Sequence, residues 1–216
     1  MLLPVPACAQ VAGNITLASA DMFRGESLSG NDPAVSAAIS FDHPSGLFAG
    51  GSVTIAAGEQ HPRLASASQY AGFALRRGEV SIEAGVIHRD YGDVIDTDYR
   101  KHYFEGFVGV SRRSLRARVY ISPDYLIDGR TSYYGELNLR LLKVGKWSLN
   151  GHVGLSVIPK DLDSPEHGMN TYRDWSLQVS WPVGKFSMSL GVSATDYPVF
   201  SESGRAKVVF AISRAF

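Results

Sequence analysis

Residues 171–196 read TYRDWSLQVSWPVGKFSMSLGVSATD, and this stretch carries the pattern that decides the fold. After the dipeptide Val183-Gly184, apolar residues alternate with serine or glycine. The apolar members are Phe186, Met188, Leu190 and Val192. Alternation with period two predicts a strand with one apolar and one polar face, and the short break before it predicts an antiparallel hairpin.

The same rhythm runs along the whole chain and predicts twelve strands. They cover residues 12–23, 34–43, 47–57, 66–76, 79–90, 101–112, 115–123, 132–143, 146–158, 171–182, 185–196 and 206–216. Each is long enough for the roughly 9–11 tilted residues with which a strand crosses a bilayer.

The connections between these strands are alternately short and long. The short ones are 43–46, 77–78, 113–114, 144–145 and 183–184. The long ones are polar and cover 25–33, 58–65, 91–100, 124–131, 159–170 and 197–205. An even strand number with short periplasmic turns and long outer loops is typical of outer-membrane barrels. We therefore predict an all-β, antiparallel, up-and-down transmembrane β-barrel of about 12 strands, with both termini on the periplasmic side.

Composition and charge exclude several other classes. Lys plus Arg is 21 and Asp plus Glu is 21, so the basic excess typical of a nucleic-acid partner is missing. No run approaches the 18 or more apolar residues of a membrane helix. The single cysteine, Cys8, excludes an internal disulfide.

The opening residues have the form of a secretory signal. Ala7-Cys8-Ala9 has the small-x-small pattern of a signal-peptidase site. We expect residues 1–9 to be the remnant of a signal peptide and residues 10–216 to form a single barrel domain. A chance apolar N-terminus and a lipoprotein box ending at Cys8 remain alternatives.

The apolar strand faces are expected to meet lipid. The final strand supports this, since Val208, Phe210, Ile212 and Phe216 share one face and the chain stops on an aromatic residue. Aromatic residues also gather near strand ends, where membrane interfaces favour them. Those at the short-turn end are Phe41, Phe48, Trp147, Trp181, Phe186 and Phe216, and those at the other end are Tyr91, Tyr99, Tyr125, Tyr133, Tyr172 and Tyr197. A soluble ligand-binding barrel, with the apolar face inside, is the alternative.

Charged residues of both signs fall on the polar faces of consecutive strands. They are Glu83, Glu105, Arg116, Arg118, Glu136 and Arg140. Neighbouring strands lie about 4.8 Å apart, so these side chains can reach one another. They are candidate pore-lining residues, either as a charged constriction that selects solutes or as a structural ion network that fills the interior.

Two charged residues mark the first long loop. Arg24 is expected at the rim, where it contacts solute or lipid headgroups, or pairs with Asp21 or Asp32 and pins the loop. A second loop carries an acidic cluster that is either solvated or binds a divalent cation among lipopolysaccharide phosphates. Its members are Asp90, Asp93, Asp96 and Asp98.

The sequence gives little support to catalysis. His152 and Ser156 share a polar face, but four residues of strand separate them by about 13 Å, too far for a hydrogen bond. The other histidines are scattered, with no spacing typical of metal ligands. We predict no enzymatic activity, no metal site and no cofactor.

The first fifty residues resemble the TorF-type porins of proteobacteria. The resemblance rests on Phe23-Arg24-Gly25, on Asp32-Pro33-Ala34 and on the turn HPSGLFAG at 43–50. Leu47 and Met22 stand where aromatic residues are common in that family. The resemblance covers about a quarter of the chain, and it implies an outer-membrane barrel with channel activity and no catalytic residues.

Together these patterns favour a narrow porin in the outer membrane of a Gram-negative bacterium, with small solutes diffusing passively through a polar lumen. Outer-membrane lipid and lipopolysaccharide would be its surroundings. The alternatives are a closed structural or adhesion barrel with a salt-bridged interior and, less favoured, the soluble ligand-binding barrel.

Overall fold

The chain forms one closed barrel. The computed structural model describes residues 9–58, 61–92, 101–125, 131–159, 169–196 and 206–216. Twelve antiparallel strands close the barrel, which confirms the predicted fold class. They are β1 (Gln10–Ala18), β4 (Ala34–Asp42), β5 (Leu47–Ala56), β6 (Arg63–Arg77), β7 (Val80–Asp90), β8 (His102–Arg112), β9 (Leu115–Ser122), β10 (Ser132–Val144), β11 (Trp147–Pro159), β12 (Met169–Val183), β13 (Phe186–Thr195) and β14 (Lys207–Ala215). Two short strands, β2 (Met22–Phe23) and β3 (Glu26–Ser27), lie between β1 and β4.

Each barrel strand pairs with its sequence neighbours, and the ends of the chain close the ring. β1 pairs with both β4 and β14. Gly13 and Phe216 exchange backbone hydrogen bonds of 2.9 and 3.0 Å across this seam. The short turns all lie at the end of the barrel where β1 begins and β14 ends, as predicted. Within the described residues, no helix is long and apolar enough to span a membrane.

The first strand is shorter than predicted. The sequence predicts a strand over 12–23, but β1 ends at Ala18. The Ser19 amide still donates to the Phe210 carbonyl over 2.9 Å, whereas the Asp21 carbonyl accepts a hydrogen bond from the Leu28 amide over 2.8 Å. The chain therefore leaves the wall after Ser19 and turns back on itself.

The outer face of the barrel is apolar all the way round. Each of the twelve strands exposes at least one large apolar side chain. One per strand, these are Ile15, Ile39, Val53, Phe73, Val86, Val108, Val119, Leu137, Val153, Leu177, Leu190 and Val208. This arrangement is the reverse of what the soluble alternative needs, which is an apolar face inside.

The inner face carries bulky side chains on one side of the barrel and small polar side chains on the other. From β5 to β10, aromatic residues and Ile87 fill the lumen and pack against one another. The aromatic members are Phe48, Tyr70, Phe107, Tyr120 and Tyr134. From β11 to β13 the wall carries serines and amides, among them Ser148 and Ser180, whose hydroxyls are 2.8 Å apart. Open space in the lumen therefore lies towards the small-residue side.

The aromatic residues predicted to lie at the two membrane interfaces are only partly on the outer surface. Trp147 and Phe186 are exposed at the short-turn end, but Phe48 lies on the inner face, where its ring packs over Gly72. Tyr91 and Tyr125 are buried inside the barrel rather than at its outer edge. Several predictions fall outside the described residues: those for residues 1–8, Asp93, Asp96, Asp98, Tyr99 and Tyr197.

Candidate functional site in the barrel lumen

The first long connection folds into the barrel. Its strands β2 and β3 pair to form a hairpin, and residues 22–27 are termed the lumen hairpin. Phe23 and the adjoining Leu28 pack in a cluster with wall and loop tyrosines. These are Tyr91, Tyr103 and Tyr125, which lie near the long-loop ends of their strands. The lumen hairpin therefore occupies the long-loop half of the lumen.

Polar contacts tie the residues before and after the hairpin to β6 of the wall. Ser66 donates a hydrogen bond from Oγ to Asp21 Oδ2 over 3.1 Å. Burial raises the pKa of the Asp21 carboxyl, and the hydrogen bond from Ser66 offsets part of that rise. After the hairpin, Arg63 Nη2 of the same strand lies 3.3 Å from Asp32 Oδ2 and donates to the Ser29 carbonyl over 2.7 Å. The structure thus gives Asp32 an anchoring contact with the barrel wall.

A buried ion triad fixes the tip of the hairpin. Arg24 Nη2 donates to Glu105 Oε1 over 2.6 Å, and Arg89 Nε donates to Glu105 Oε2 over 3.1 Å. The Glu105 side chain is 1% exposed and Arg24 is 8% exposed. Charge-assisted hydrogen bonds of this kind are stronger than neutral ones, and removal of one partner from a buried pair is costly. Glu105 thus anchors the tip of the hairpin to the wall.

Arg24 does not lie where the sequence predicts. It is not at the rim, and it pairs with Glu105 instead of with Asp21 or Asp32. Its guanidinium carbon is 3.9 Å from the centroid of the Tyr134 ring, a cation–π contact. Burial alone would lower the pKa of Arg24, but the Glu105 carboxylate holds that pKa well above its ordinary value. Arg24 thus pairs with a carboxylate of β8, and its role in pinning the loop stays a prediction.

Glycine follows Arg24 because the hairpin touches the wall there. Gly25 has a φ of +81°, in the left-handed region that L side chains rarely adopt. A Cβ atom at Gly25 would lie 2.5 Å from the Ala194 carbonyl oxygen and 2.8 Å from Thr195 Cβ. The hairpin can therefore approach β13 this closely only with glycine at its tip.

The other predicted charges divide into paired and unpaired residues. Arg118 Nε donates to Glu83 Oε1 over 2.7 Å, although β7 and β9 are not adjacent. The pair reaches across Gly109 of β8, where a Cβ atom would lie 2.9 Å from Glu83 Oε1. The Glu136 carboxylate accepts a hydrogen bond from the Tyr120 hydroxyl over 3.1 Å. An ion network thus covers the aromatic side of the lumen.

A cavity of about 740 Å³ occupies the remaining part of the lumen. The lumen hairpin bounds it on the long-loop side, and it extends to the turn at Arg113-Ser114 on the short-turn side. Arg116 and Arg140 line it, together with serine, asparagine and glutamine side chains of β10 to β13. Its size is within the range of small-molecule sites, about 300–1,000 Å³. That the six charged residues line a pore stays a prediction.

The structure also brings together a polar group that the sequence analysis missed. His152 Nε2 is 2.8 Å from Asp174 Oδ1, and the Tyr134 hydroxyl donates to Asp174 Oδ2 over 3.2 Å. Ser176 lies opposite His152, but His152 Nδ1 is 2.9 Å from Asn138 Oδ1. Both ring nitrogens are therefore engaged, and neither is free to activate a hydroxyl. Only the strand register, which the sequence does not provide, would have revealed this group.

Among the described residues, no group of three or more histidine, cysteine, aspartate or glutamate side chains is arranged to hold a metal ion.

The closed wall and polar lumen define the class: a twelve-stranded barrel with the fold of outer-membrane channels. The NanC porin has this fold, with a TM-score of 0.52 and 7% identity over 95% of this chain and 98% of NanC. An outer membrane channel from Pseudomonas putida F1 has a TM-score of 0.53 and 10% identity over 98% of this chain and 97% of that channel. At these identities the likeness shows the fold alone.

By sequence, the chain belongs to the family Gcw_chp, described as bacterial protein of unknown function, whose model matches residues 6–216. No curated protein has a sequence that matches this chain. The TorF-type name stays a prediction, so the function has to be argued from the lumen.

Proposed function

We propose that the protein is a narrow channel of the Gram-negative outer membrane, through which small solutes diffuse passively. The observation that carries this proposal is the placement of polar and apolar residues, which is opposite to that of a soluble protein. A cavity of about 740 Å³ lined by polar side chains lies inside a wall whose outer face is apolar. A wall built this way is suited to lipid outside and water inside. The lumen hairpin would narrow the path, so that only small solutes pass.

The apolar band supports the membrane placement. Soluble monomers rarely expose contiguous apolar patches larger than a few hundred Å². Here large apolar side chains are exposed on all twelve strands. At the short-turn end, Trp147 and Trp181 stack with their ring centroids 4.9 Å apart, and tryptophan favours membrane interfaces. Outer-membrane lipid would cover this band, with lipopolysaccharide towards the long-loop side.

The channel can be tested by solute uptake into vesicles. Lipid vesicles that contain the full chain should swell when they are placed in a solution of a small neutral sugar, and they should not swell with a large polysaccharide. Vesicles without protein provide the baseline. Swelling no faster than this baseline, from protein shown to be folded, would contradict the proposal.

A charge on the outer face should be costly if lipid covers that face. Val153 is exposed at the centre of β11, and we expect Val153→Arg to lower the free energy of unfolding in vesicles by about 2–4 kcal/mol. The control is Gln178→Arg, which places the same charge on the lumen face of β12. Urea unfolding followed by tryptophan fluorescence measures both. Equal stability of the two variants would contradict the membrane placement.

The buried ion triad favours a second function, that of a closed structural or adhesion barrel. In that case Arg24 and Glu105 would hold a permanent plug, and the long loops would perform the work. The two functions differ in the effect of Glu105→Gln. A channel should become more permeable when the plug loosens, whereas a closed barrel should lose stability with no change in permeability.

A further inference from the structure

Two arginines in the cavity have no carboxylate partner within the described part of the chain. Arg116 of β9 and Arg140 of β10 line the cavity. Among the described residues, neither belongs to an ion pair. By contrast, Arg24 and Arg89 both pair with Glu105, and Arg118 pairs with Glu83. Two guanidinium groups of the cavity lining are therefore without a carboxylate partner among the described residues.

The acid that lines the same cavity makes no ion pair with either arginine in the described part of the chain. Glu136 lines the same cavity, but it lies directly opposite Arg118 in the strand pairing and accepts a hydrogen bond from Tyr120. Glu136 is a diagonal neighbour of Arg116, but among the described residues no ion pair joins the two side chains. Four residues of β10 separate Glu136 from Arg140, about 13 Å at a rise of about 3.3 Å per residue. The short-turn end of the cavity is therefore positively charged.

The strand register places both arginines within reach of one ligand. Arg116 pairs directly with Asn138. The Arg140 amide donates to the Ser114 carbonyl over 3.0 Å, so Arg140 is the diagonal neighbour of Arg116. Such diagonal positions lie about 7–8 Å apart, a distance that two long arginine side chains can close. Guanidinium groups bind carboxylates with paired, parallel hydrogen bonds.

Neutral hydrogen-bonding groups surround this pair. Asn150 is opposite Arg140, and Gln178 is opposite Asn150 in the next strand. Gln178 Nε2 donates to Ser189 Oγ over 3.2 Å, which extends the row of polar groups to β13. Amides and hydroxyls offer both donors and acceptors, the complement of a ligand rich in hydroxyl groups.

We propose that the cavity binds a small carboxylate that also carries hydroxyl groups, such as a monosaccharide acid, between Arg116 and Arg140. The carboxylate binds the two guanidinium groups, and the hydroxyl groups form hydrogen bonds with the side-chain amides of Asn138, Asn150 and Gln178. This inference rests on the proposed channel, because it names the class of solute that would pass, but the site itself can be tested without transport.

Isothermal titration of the folded full chain in detergent at low salt tests the site. The probes are glucuronate and, as its neutral match, glucose. Glucuronate should bind at least about tenfold more tightly than glucose, and the double variant R116Q/R140Q should lose about tenfold or more in glucuronate affinity. The control K146Q/K185Q removes the same charge from two exposed short turns and should keep wild-type affinity.

A third variant guards against a folding defect. R116K/R140K keeps both charges but loses the paired hydrogen-bond geometry, so its affinity should lie between those of wild type and R116Q/R140Q. Equal binding of glucose and glucuronate, or full glucuronate affinity in folded R116Q/R140Q, would overturn the site. Glucuronate binding by a wild-type protein that forms no channel would uphold the site and refute the channel.

Discussion

Replacement of Glu105 by glutamine is expected to lower the free energy of unfolding by about 3–5 kcal/mol, the cost of removing one partner from a buried ion pair. The change leaves Arg24 and Arg89 inside the barrel without an anion, because Glu105 is the carboxylate that both of them contact. Urea unfolding in vesicles and the temperature at which the folded band disappears from a gel both measure the loss.

Glu79→Gln is the matched control for this substitution. Glu79 also pairs with two arginines, Arg112 and Arg113, but its side chain is 52% exposed. Exposed pairs contribute about 0–1 kcal/mol, so Glu79→Gln should leave the free energy of unfolding nearly unchanged. Equal stability of the two variants would refute the role of Glu105. In the channel account, Glu105→Gln should also increase solute flux, because the lumen hairpin loses its anchor.

Alanine at Gly25 is expected to produce the second large effect, the displacement of the lumen hairpin from β13. A left-handed φ costs an L residue about 1–2 kcal/mol. Overlap of the new methyl group with the Ala194 carbonyl adds about 1–3 kcal/mol, a typical cost of overpacking. The free energy of unfolding should fall by the sum of these costs, and the flux through the barrel should rise.

Gly78→Ala separates the two contributions. Gly78 has a φ of +61°, but a Cβ atom there would have nothing within 4 Å. It should therefore show only the conformational cost and leave the flux unchanged. A Gly25→Ala protein with the stability and flux of Gly78→Ala would show that the contact with β13 does not position the hairpin.

Much of the wall was predictable because its signals are local. Alternation along each strand sets the two faces, and the length of each connection sets its end of the barrel, so eleven of the twelve barrel strands lie close to their predicted ranges. The exception, β1, shows the limit of the pattern. Ser19 and Asp21 place polar residues on the face that Ile15 and Leu17 occupy, and the backbone of Asp21 bonds to Leu28 as the chain leaves the wall.

The lumen could not be predicted in the same way, because its contacts depend on register and on distant partners. Arg24 and Glu105 are 81 residues apart in sequence. Glu83 meets Arg118 only because Gly109, between them, has no side chain. Gly25 directly after Arg24 is a local signal of a tight turn, but it does not reveal that the turn enters the barrel.

The central claim, a polar channel inside a lipid-facing barrel, is tested most directly by recording current across a planar lipid bilayer. Folded full-length protein should produce discrete conductance steps above the bare-lipid baseline, and Gly25→Ala should produce larger ones than Gly78→Ala. A folded, inserted protein that gives no conductance above that baseline, in either the wild type or Gly25→Ala, would contradict the account.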